Sequence, residues 1–500
     1  MKESINTNQY WKIEVLTPVH VGVGIERAWK SGIDIFQRNN SVILINKDKL
    51  FEILYQRGRL EEYCSYLAKG NFDNCKREVE GLDINTINAI SLQTFNFPYT
   101  DISVDGIRPL IRNGVTGKPY LPGSSVKGAI RSILFKYVRK SISRLANAKD
   151  DEVFGRIDNN IMRLFRFSDA PMSNSSLMRM KIFNLMKKNK EWHGGWKHSR
   201  RNTTENFKKS GFHNDLEVFP INAEGFMRFG IANEVSGNIW EKMLRGLPEA
   251  KEVLLKNANF NLFSIINNHT KRYLEKQIKF FENYSQAEHT EKIIQKLEKL
   301  KNSIPSNNSY CILKLGGGSG FHSITGDWQY EEGFTEKEVG LDGNKKVKYK
   351  SRKICFEKVN GNLEFYLMGF IKITSISLDE WKKNIEKSLK SQEIETKVNT
   401  SETFSVSEET KLSDSESKRP QYYNKRLKQG GEIEGIILEV GNPNKVKVLV
   451  REGYEPIMDV RYGSGFEKDK IGAVVVLKIG NVRGEGDNAQ LLSVSFVKFK

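Results

Sequence analysis

KPYLPGSSVKGAIRSILF, Lys118 to Phe135, sets a Pro-Gly-Ser-Ser turn directly against an amphipathic run. Val126, Ile130, Ile133 and Tyr137 recur at spacings of four, three and four, the signature of a helix that packs one face on a sheet. The turn offers Ser124 or Ser125 as N-cap, and Gly123 lets another chain come close. A first helical turn has free N–H groups and a partial positive charge, to which Lys127 and Arg131 add full charges on the flank of the apolar face, so the turn suits a phosphate. The same residues equally describe a capped helix whose Lys and Arg are only solvated. The GxxxxGK[ST] spacing of a nucleotide-binding loop is missing, which argues against ATP.

Outward from this helix, the chain alternates strand-like and helix-like segments. Tyr10 to Leu16 and Ser41 to Ile45 read as short strands, a Lys/Glu-rich stretch from Asp48 to Ile90 reads as helical, and Arg112-Asn113-Gly114 supplies a turn. Helix formers dominate residues 237–302, which are expected to form a helical insertion. Strands return at Cys311 to Leu315 and Leu363 to Ile373, so the expected class is α+β rather than all-helical. Residues 387–430 turn to Ser, Thr, Glu and Lys with few large apolar side chains, the composition of a flexible linker. Beyond them, 431–500 alternates strands such as GIILEV, KVKVLV and AVVVLKI with turns, which suggests a small all-β barrel. The expected division is therefore 1–386, a linker at 387–430, and 431–500.

Five hundred residues imply two or three folded units, and 79 Lys and Arg against 61 Asp and Glu leave a net charge of +18. That excess gathers polyanions, and nucleic acid is the leading partner. A membrane is not expected, because no apolar run approaches the roughly 20 residues needed to cross one and the N-terminus MKESINTNQYWKIEV lacks a signal-peptide core; the cytoplasm is the expected compartment. Cys64, Cys75, Cys311 and Cys355 lack CxxC spacing, so they are expected reduced and buried, without zinc or disulfides. No cofactor is indicated.

Two further segments carry chemistry. LKLGGGSGFHSITGDW, Leu313 to Trp328, follows a strand; Gly316, Gly317, Gly318 and Gly320 permit close approach to a sugar-phosphate chain, with Phe321 and His322 beside it to stack or donate. A tight structural loop is the competing account, and Ser319 lacks the GxSxG frame of a hydrolase. Between Arg179 and Lys209, ten Lys/Arg residues, among them Lys197, Arg200 and Arg201, meet only Glu191 and Glu205, interleaved with Trp192, His193, Trp196 and His198. Cations mixed with aromatics suit unpaired nucleic acid, although a solvated basic loop has the same composition. His20, His193, His198, His213 and His322 form no recognisable catalytic unit, and Asp34, Asp101, Asp105 and Asp169 are not spaced as a metal pair.

LTPVHVGVG near the start, TGKPYLPGSSVKGAIRSIL, FSDA at Phe167 to Ala170 and LKLGGGSGFHSITG, in that order, resemble the RAMP proteins of CRISPR systems. They look most like the capping subunits of type III-A (Csm) effector complexes, the fifth Csm protein, over about Tyr10 to Ile373. The resemblance implies a ferredoxin-like (RRM-like) core with insertions and a non-catalytic subunit that binds the 3′ part of the guide RNA (crRNA). The implied partners are crRNA, target RNA, the backbone RAMP subunit, the small helical subunit and recruited nucleases that mature the guide in antiviral defence. It places Gly123, Ser124, Ser125, Lys127 and Arg131 in the family's helix-start motif, Gly316 to His322 in its glycine-rich loop, and His20 in the LTPVH motif. SGIDIF puts Asp34 where backbone RAMP subunits carry a target-cleaving aspartate, so an endoribonuclease is the enzyme alternative. The tail resembles an S1-type OB barrel, yet its ten basic and ten acidic residues between Gly430 and Lys500 cancel.

Overall fold

The computed structural model describes residues 9–231 apart from 104, 146–147, 158 and 200, then 248–256, 261–317, and 351–386 apart from 385; toward the C-terminus it describes 423, 427, 430–439, 444–450, 456–460, 474–483, 490–491 and 493–499. The chain divides into two compact units, Met1–Ser401 and Glu402–Lys500, the division falling inside the stretch expected as a linker.

The first unit is mixed α/β. Its central sheet is antiparallel throughout, in the order Tyr310–Lys314, Phe370–Ile376, Gln9–Val15, Glu224–Ile231, Phe165–Phe167. In QYWKIEV the period of two decides the faces: Trp11, Ile13 and Val15 are fully buried on one side. On the other side Lys12 pairs with Glu224 at 2.6 Å and Glu14 with Lys372 at 3.4 Å. Two helices cover the apolar side. One is Gly123–Ser141, whose Val126, Ile130, Leu134 and Val138 enter the core; the other is Leu262–Asn283, which adds Ile265 and Ile266. Burying each such aliphatic side chain is worth about 1.5–3 kcal/mol. The long helix thus belongs to the central core, although sequence places it in an insertion.

A second sheet is organised by the 13-residue strand Ser176–Lys188, which pairs with Glu191–Lys197 and Asn214–Val218 on one edge and Ser351–Val359 on the other. The far half of the long helix and Thr290–Asn302 pack against it through Phe183, Trp196, Phe281, Leu297 and Phe365. A polar seam registers the long helix on the central sheet: Asn267 accepts from Ile312 N–H at 3.0 Å and donates to Tyr310 C=O at 2.9 Å, and Thr270 donates to Ile312 C=O at 2.6 Å. A third, three-stranded sheet, Ile35–Arg38, Ser41–Ile45 and Ser91–Asn96, carries four short helices between Lys47 and Ala89. Asn46, Asn71 and Asp83 cap three of them by accepting from a backbone N–H of the first turn.

The run Leu363–Ile373 is not one strand. Gly369 sits at φ +98°, where an added Cβ would lie 2.3 Å from the Leu315 carbonyl, and the chain turns there from Asn362–Leu367 of the second sheet into Phe370–Ile376 of the first. Three of the four free cysteines are buried, as expected; Cys64 is exposed. Among the described residues no helix is long and apolar enough to cross a membrane.

In the second unit, strands Glu432–Glu439, Asn444–Val448, Ile457–Val460, Val474–Ile479 and Val494–Phe499 form an antiparallel sheet in the order third, second, first, fourth, fifth. The third and fifth come within 8 Å of each other around a core of Ile433, Ile437, Val446, Val475 and Leu477.

Candidate nucleic-acid interface

The PGSS helix begins at Gly123, at least two residues earlier than its serines suggest. Pro122 is the N-cap, with no side-chain cap, and Ser124 and Ser125 lie inside the first turn. Its fixed φ of −65° prepares the entry, which frees both serines from capping. Gly123 N–H donates to the Asp169 carboxylate at 2.8 Å, so the FSDA segment supplies an anion to the helix start. Gly123 is also where that segment comes close: a Cβ there would lie 2.5 Å from the Phe167 carbonyl oxygen and 2.6 Å from that of Ser168. The glycine serves approach by the protein's own backbone.

The two cations of this helix differ. Arg131 is committed, paired with Asp150 and lying 5.2 Å over the Phe154 ring. Lys127 makes no ion pair or side-chain hydrogen bond among the described residues, while Ser124 beside it is exposed. Partial burial, and then the charge of Arg131, pull the Lys127 ammonium below its ordinary range. An anion arriving at Lys127 would restore that charge's lost solvation.

LTPVH and the glycine-rich loop meet. His20 and Gly317 form a β-bridge, with Gly317 N–H donating to the His20 carbonyl at 2.7 Å. At Gly316, φ is +87°, and a Cβ would stand 2.7 Å from the same carbonyl. The His20 ring is buried, its Nδ1 at 2.7 Å from the Glu217 carbonyl oxygen, so Nδ1 is the protonated nitrogen. Burial lowers its pKa to about 4, with Arg108 and Lys353 pushing the same way, and the ring is neutral at pH 7. His20 therefore positions the loop from within; its ring does not present a cation. Gly318, Gly320, Phe321 and His322 lie outside the described residues.

Arg108 and Lys353 are cations that sequence reasoning missed. Leu216 pairs with Arg108 and Met180 with Cys355, which brings both cations onto the sheet that His20 is tied to. Arg108 lies 3.8 Å from Asp105, and its Nε is buried without a hydrogen bond. Lys353 is lowered by burial and then by Arg108.

The basic segment at 179–209 is split: its first two cations, Arg179 and Lys181, are internal. Arg179, 1 % exposed, donates from Nε to Asp215 at 2.9 Å and from Nη1 to Asp101 at 2.8 Å, and its guanidinium lies 4.2 Å over the Tyr99 ring. Lys181 is fully buried and donates to the Ser210 carbonyl at 2.7 Å. Trp196 is fully buried against Phe183, Phe207 and Phe365 and donates to the Glu288 carbonyl, so it offers no face to a base. The mixed cation-aromatic pattern here comes from a β-hairpin whose aromatic face is core. Lys187, Lys188, Lys190, Arg201, Lys208 and Lys209 are exposed, Lys188 pairing with Glu205 at 3.2 Å, and half-buried Lys197 lies 5.0 Å over the Phe212 ring; Arg200 lies outside the described residues.

Asp34 is likewise in use. Its carboxylate accepts from the Lys30 N–H at 2.8 Å and pairs with Lys47 at 2.5 Å, which makes it the cap of its own turn. Among the described residues no group of three His, Cys, Asp or Glu side chains could hold a metal.

The sequence profile of the RAMP superfamily matches residues 12–452. The curated protein named "CRISPR system Cms protein Csm5" from Methanocaldococcus jannaschii is 28% identical over 148 residues, 28% of this chain and 34% of the relative. That match spans about a third of the relative's length. Among solved structures, a chain of the Csm-crRNA-target RNA ternary complex of a type III-A CRISPR-Cas system aligns at TM-score 0.47 and 17% identity, covering 74% of this chain and all of that one. T. onnurineus Csm5 aligns at TM-score 0.43 and 17% identity, over 72% and 99%.

Proposed function

We infer function from family: this chain belongs to the RAMP superfamily, and we propose that it is a Csm5-type, RNA-binding subunit of a type III-A CRISPR effector complex. In that reading it caps the complex at the 3′ part of the crRNA and supports crRNA maturation without cutting RNA itself. Its partners are crRNA, target RNA, the backbone RAMP subunit, the small helical subunit and recruited nucleases, in the cytoplasm. The observation that carries the proposal is the family match over residues 12–452, joined to a net charge of +18. Lys127, half-buried and unpaired at the first turn of a helix, is the group best suited to a backbone phosphate. The Asp169 carboxylate already occupies the Gly123 N–H, so the phosphate belongs on the Lys127 side of the turn.

The strand order supports a ferredoxin-like reading of the central sheet. Gln9–Val15, the PGSS helix, Phe165–Phe167, Glu224–Ile231, the helix Leu262–Asn283 and Phe370–Ile376 run β-α-β-β-α-β, with Tyr310–Lys314 as an added edge strand. The order third-second-first-fourth-fifth in the second unit, with its outer strands approaching, supports an OB-like barrel.

The test is a reconstituted effector complex carrying Lys127→Ala or, separately, Asp34→Ala. Lys127→Ala should leave the crRNA less protected at its 3′ end, or release this subunit, while target cuts keep their regular spacing. Asp34→Ala should change no cut, because that carboxylate is held by Lys30 and Lys47. Loss of one target cut in the Asp34 variant, with subunit content and guide length unchanged, would make this chain a slicing endoribonuclease and overturn the proposal.

A further inference from the structure

Along the edge of the PGSS helix's apolar face, near its C-terminal end, a groove of about 720 Å³ opens between that helix and Leu262–Asn283, with Ile133 and Ile265 among its lining. One wall carries Lys136 and Lys140, a turn apart, with Tyr137 between them; the other carries Lys271 and Arg272. Asn261, Ser264 and Asn268 add uncharged polar groups, and Glu275 is the single carboxylate in the lining. Four cations thus face one acid. Glu275 stands four residues from Lys271 and three from Arg272, spacings at which helical ion pairs form, yet neither pair is made. Lys140, Lys271 and Arg272 have no ionic partner among the described residues.

Helix electrostatics explain only part of this. Lys140 lies in the last turn of its helix, where a cation complements the macrodipole. Lys271 and Arg272 lie mid-helix, where the dipole exerts no such preference. The same helix turns Ile266, Tyr273 and Leu274 into the core, away from the groove.

We propose that this groove is a second seat for the phosphate backbone of a single-stranded nucleic acid, separate from the Lys127 turn. Cations repeated along both walls match a repeating charge, amide and hydroxyl groups can hydrogen-bond phosphate or ribose oxygens, and the half-buried Tyr137 ring supplies a stacking surface. From Gly123 to Lys140 the helix rises about 25 Å, so one continuous strand could bridge the two seats. The proposal rests on the nucleic-acid reading of the chain but not on the PGSS turn.

The experiment measures the affinity of the full chain for an oligouridylate as a function of salt, with the triple variant Lys140→Ala, Lys271→Ala, Arg272→Ala beside Lys127→Ala. All three groove cations are exposed, so the triple variant should keep the wild-type melting profile. Each lost phosphate contact lowers the log–log salt slope by about 0.7, so the triple variant should lose about 2. An unchanged slope in the folded triple variant overturns the groove proposal, whatever Lys127→Ala does. A flattened slope in the triple variant with none in Lys127→Ala sustains the groove and removes the PGSS turn from the RNA path. If the triple variant keeps its RNA slope but no longer binds a polyglutamate probe, the groove is a seat for an acidic protein segment and the proposal fails.

Discussion

Gly123→Ala and Gly128→Ala place the same methyl group twice on one helix, five residues apart, and the structure gives them opposite signs. At Gly128 nothing lies within 4 Å of the new Cβ, so the substitution should only improve helix propensity, stabilising the first unit by up to about 1 kcal/mol. At Gly123 the Cβ meets two backbone carbonyl oxygens at 2.5 and 2.6 Å, which no side-chain rotation can relieve. Either the helix start or the FSDA segment must move, and the Asp169 cap on Gly123 N–H goes with it. Overpacking costs about 1–3 kcal/mol and a lost cap about 1 kcal/mol. Gly123→Ala should therefore destabilise by about 2–4 kcal/mol, read as a shift in urea midpoint at unchanged slope by near-UV dichroism of a fragment ending at Ser401, where the first unit ends. A Gly123→Ala fragment as stable as wild type, but with RNA binding lost, would refute the reasoning: the glycine would then be serving a ligand.

Two other perturbations follow from buried groups. His20 has a folded pKa near 4 against an ordinary 6.5, so the unfolded chain binds the proton first as pH falls; the stabilisation is complete above about 6.5 and is lost progressively toward 4. Its full size is about 3 kcal/mol, and urea unfolding between pH 7 and 4 should show that part of the decline disappear in His20→Asn, whose amide can still donate to the Glu217 carbonyl. Arg179→Met should destabilise by about 3–5 kcal/mol because it strands the fully buried Asp215 carboxylate, whereas the double variant Arg179→Met, Asp215→Leu should recover most of the loss. A recovery below about 1 kcal/mol would show that Arg179 matters chiefly through its stacking on Tyr99.

Where local periodicity and burial coincide, the fold was legible. QYWKIEV alternates because one face meets the core, and the four-three-four spacing of Val126, Ile130, Ile133 and Tyr137 sets the face of the PGSS helix toward the sheet. What periodicity could not supply was partner identity. Ser124 and Ser125 are good caps, but the proline before them fixes the entry and a carboxylate 46 residues away takes the first N–H. Leu363–Ile373 reads as one apolar strand because both halves are buried, in two different sheets, and only the positive φ of Gly369 reveals the change. The helices expected as an insertion are amphipathic whether they pack on each other or on the main core; the choice is settled by Asn267 and Thr270 finding backbone partners on Tyr310–Lys314.

Charge is the clearest case of a signal that sequence carries only in sum. The excess of +18 marks the chain as a partner for polyanions, yet it does not say which cations are free, because an ion pair between residues 179 and 215 is invisible in composition. The densest basic stretch is a mixed guide, because its first two cations are buried while six later ones are exposed. A cation on a strand that is buried on both faces must be paired or pay desolvation, so Arg179 and Lys181 are spent on Asp101, Asp215 and Ser210. Cations on the outer faces of helices meet no such demand, so exposed Lys140, Lys271 and Arg272 stay available, and half-buried Lys127 stays without an ion pair among the described residues. For a strand-rich basic segment, the exposed remainder rather than the total should set the salt slope. Lys187, Lys190, Arg201, Lys208 and Lys209, exposed members of the stretch with no ion pair among the described residues, can together contribute up to about 3.5 to it, whereas buried Arg179 and Lys181 should contribute nothing.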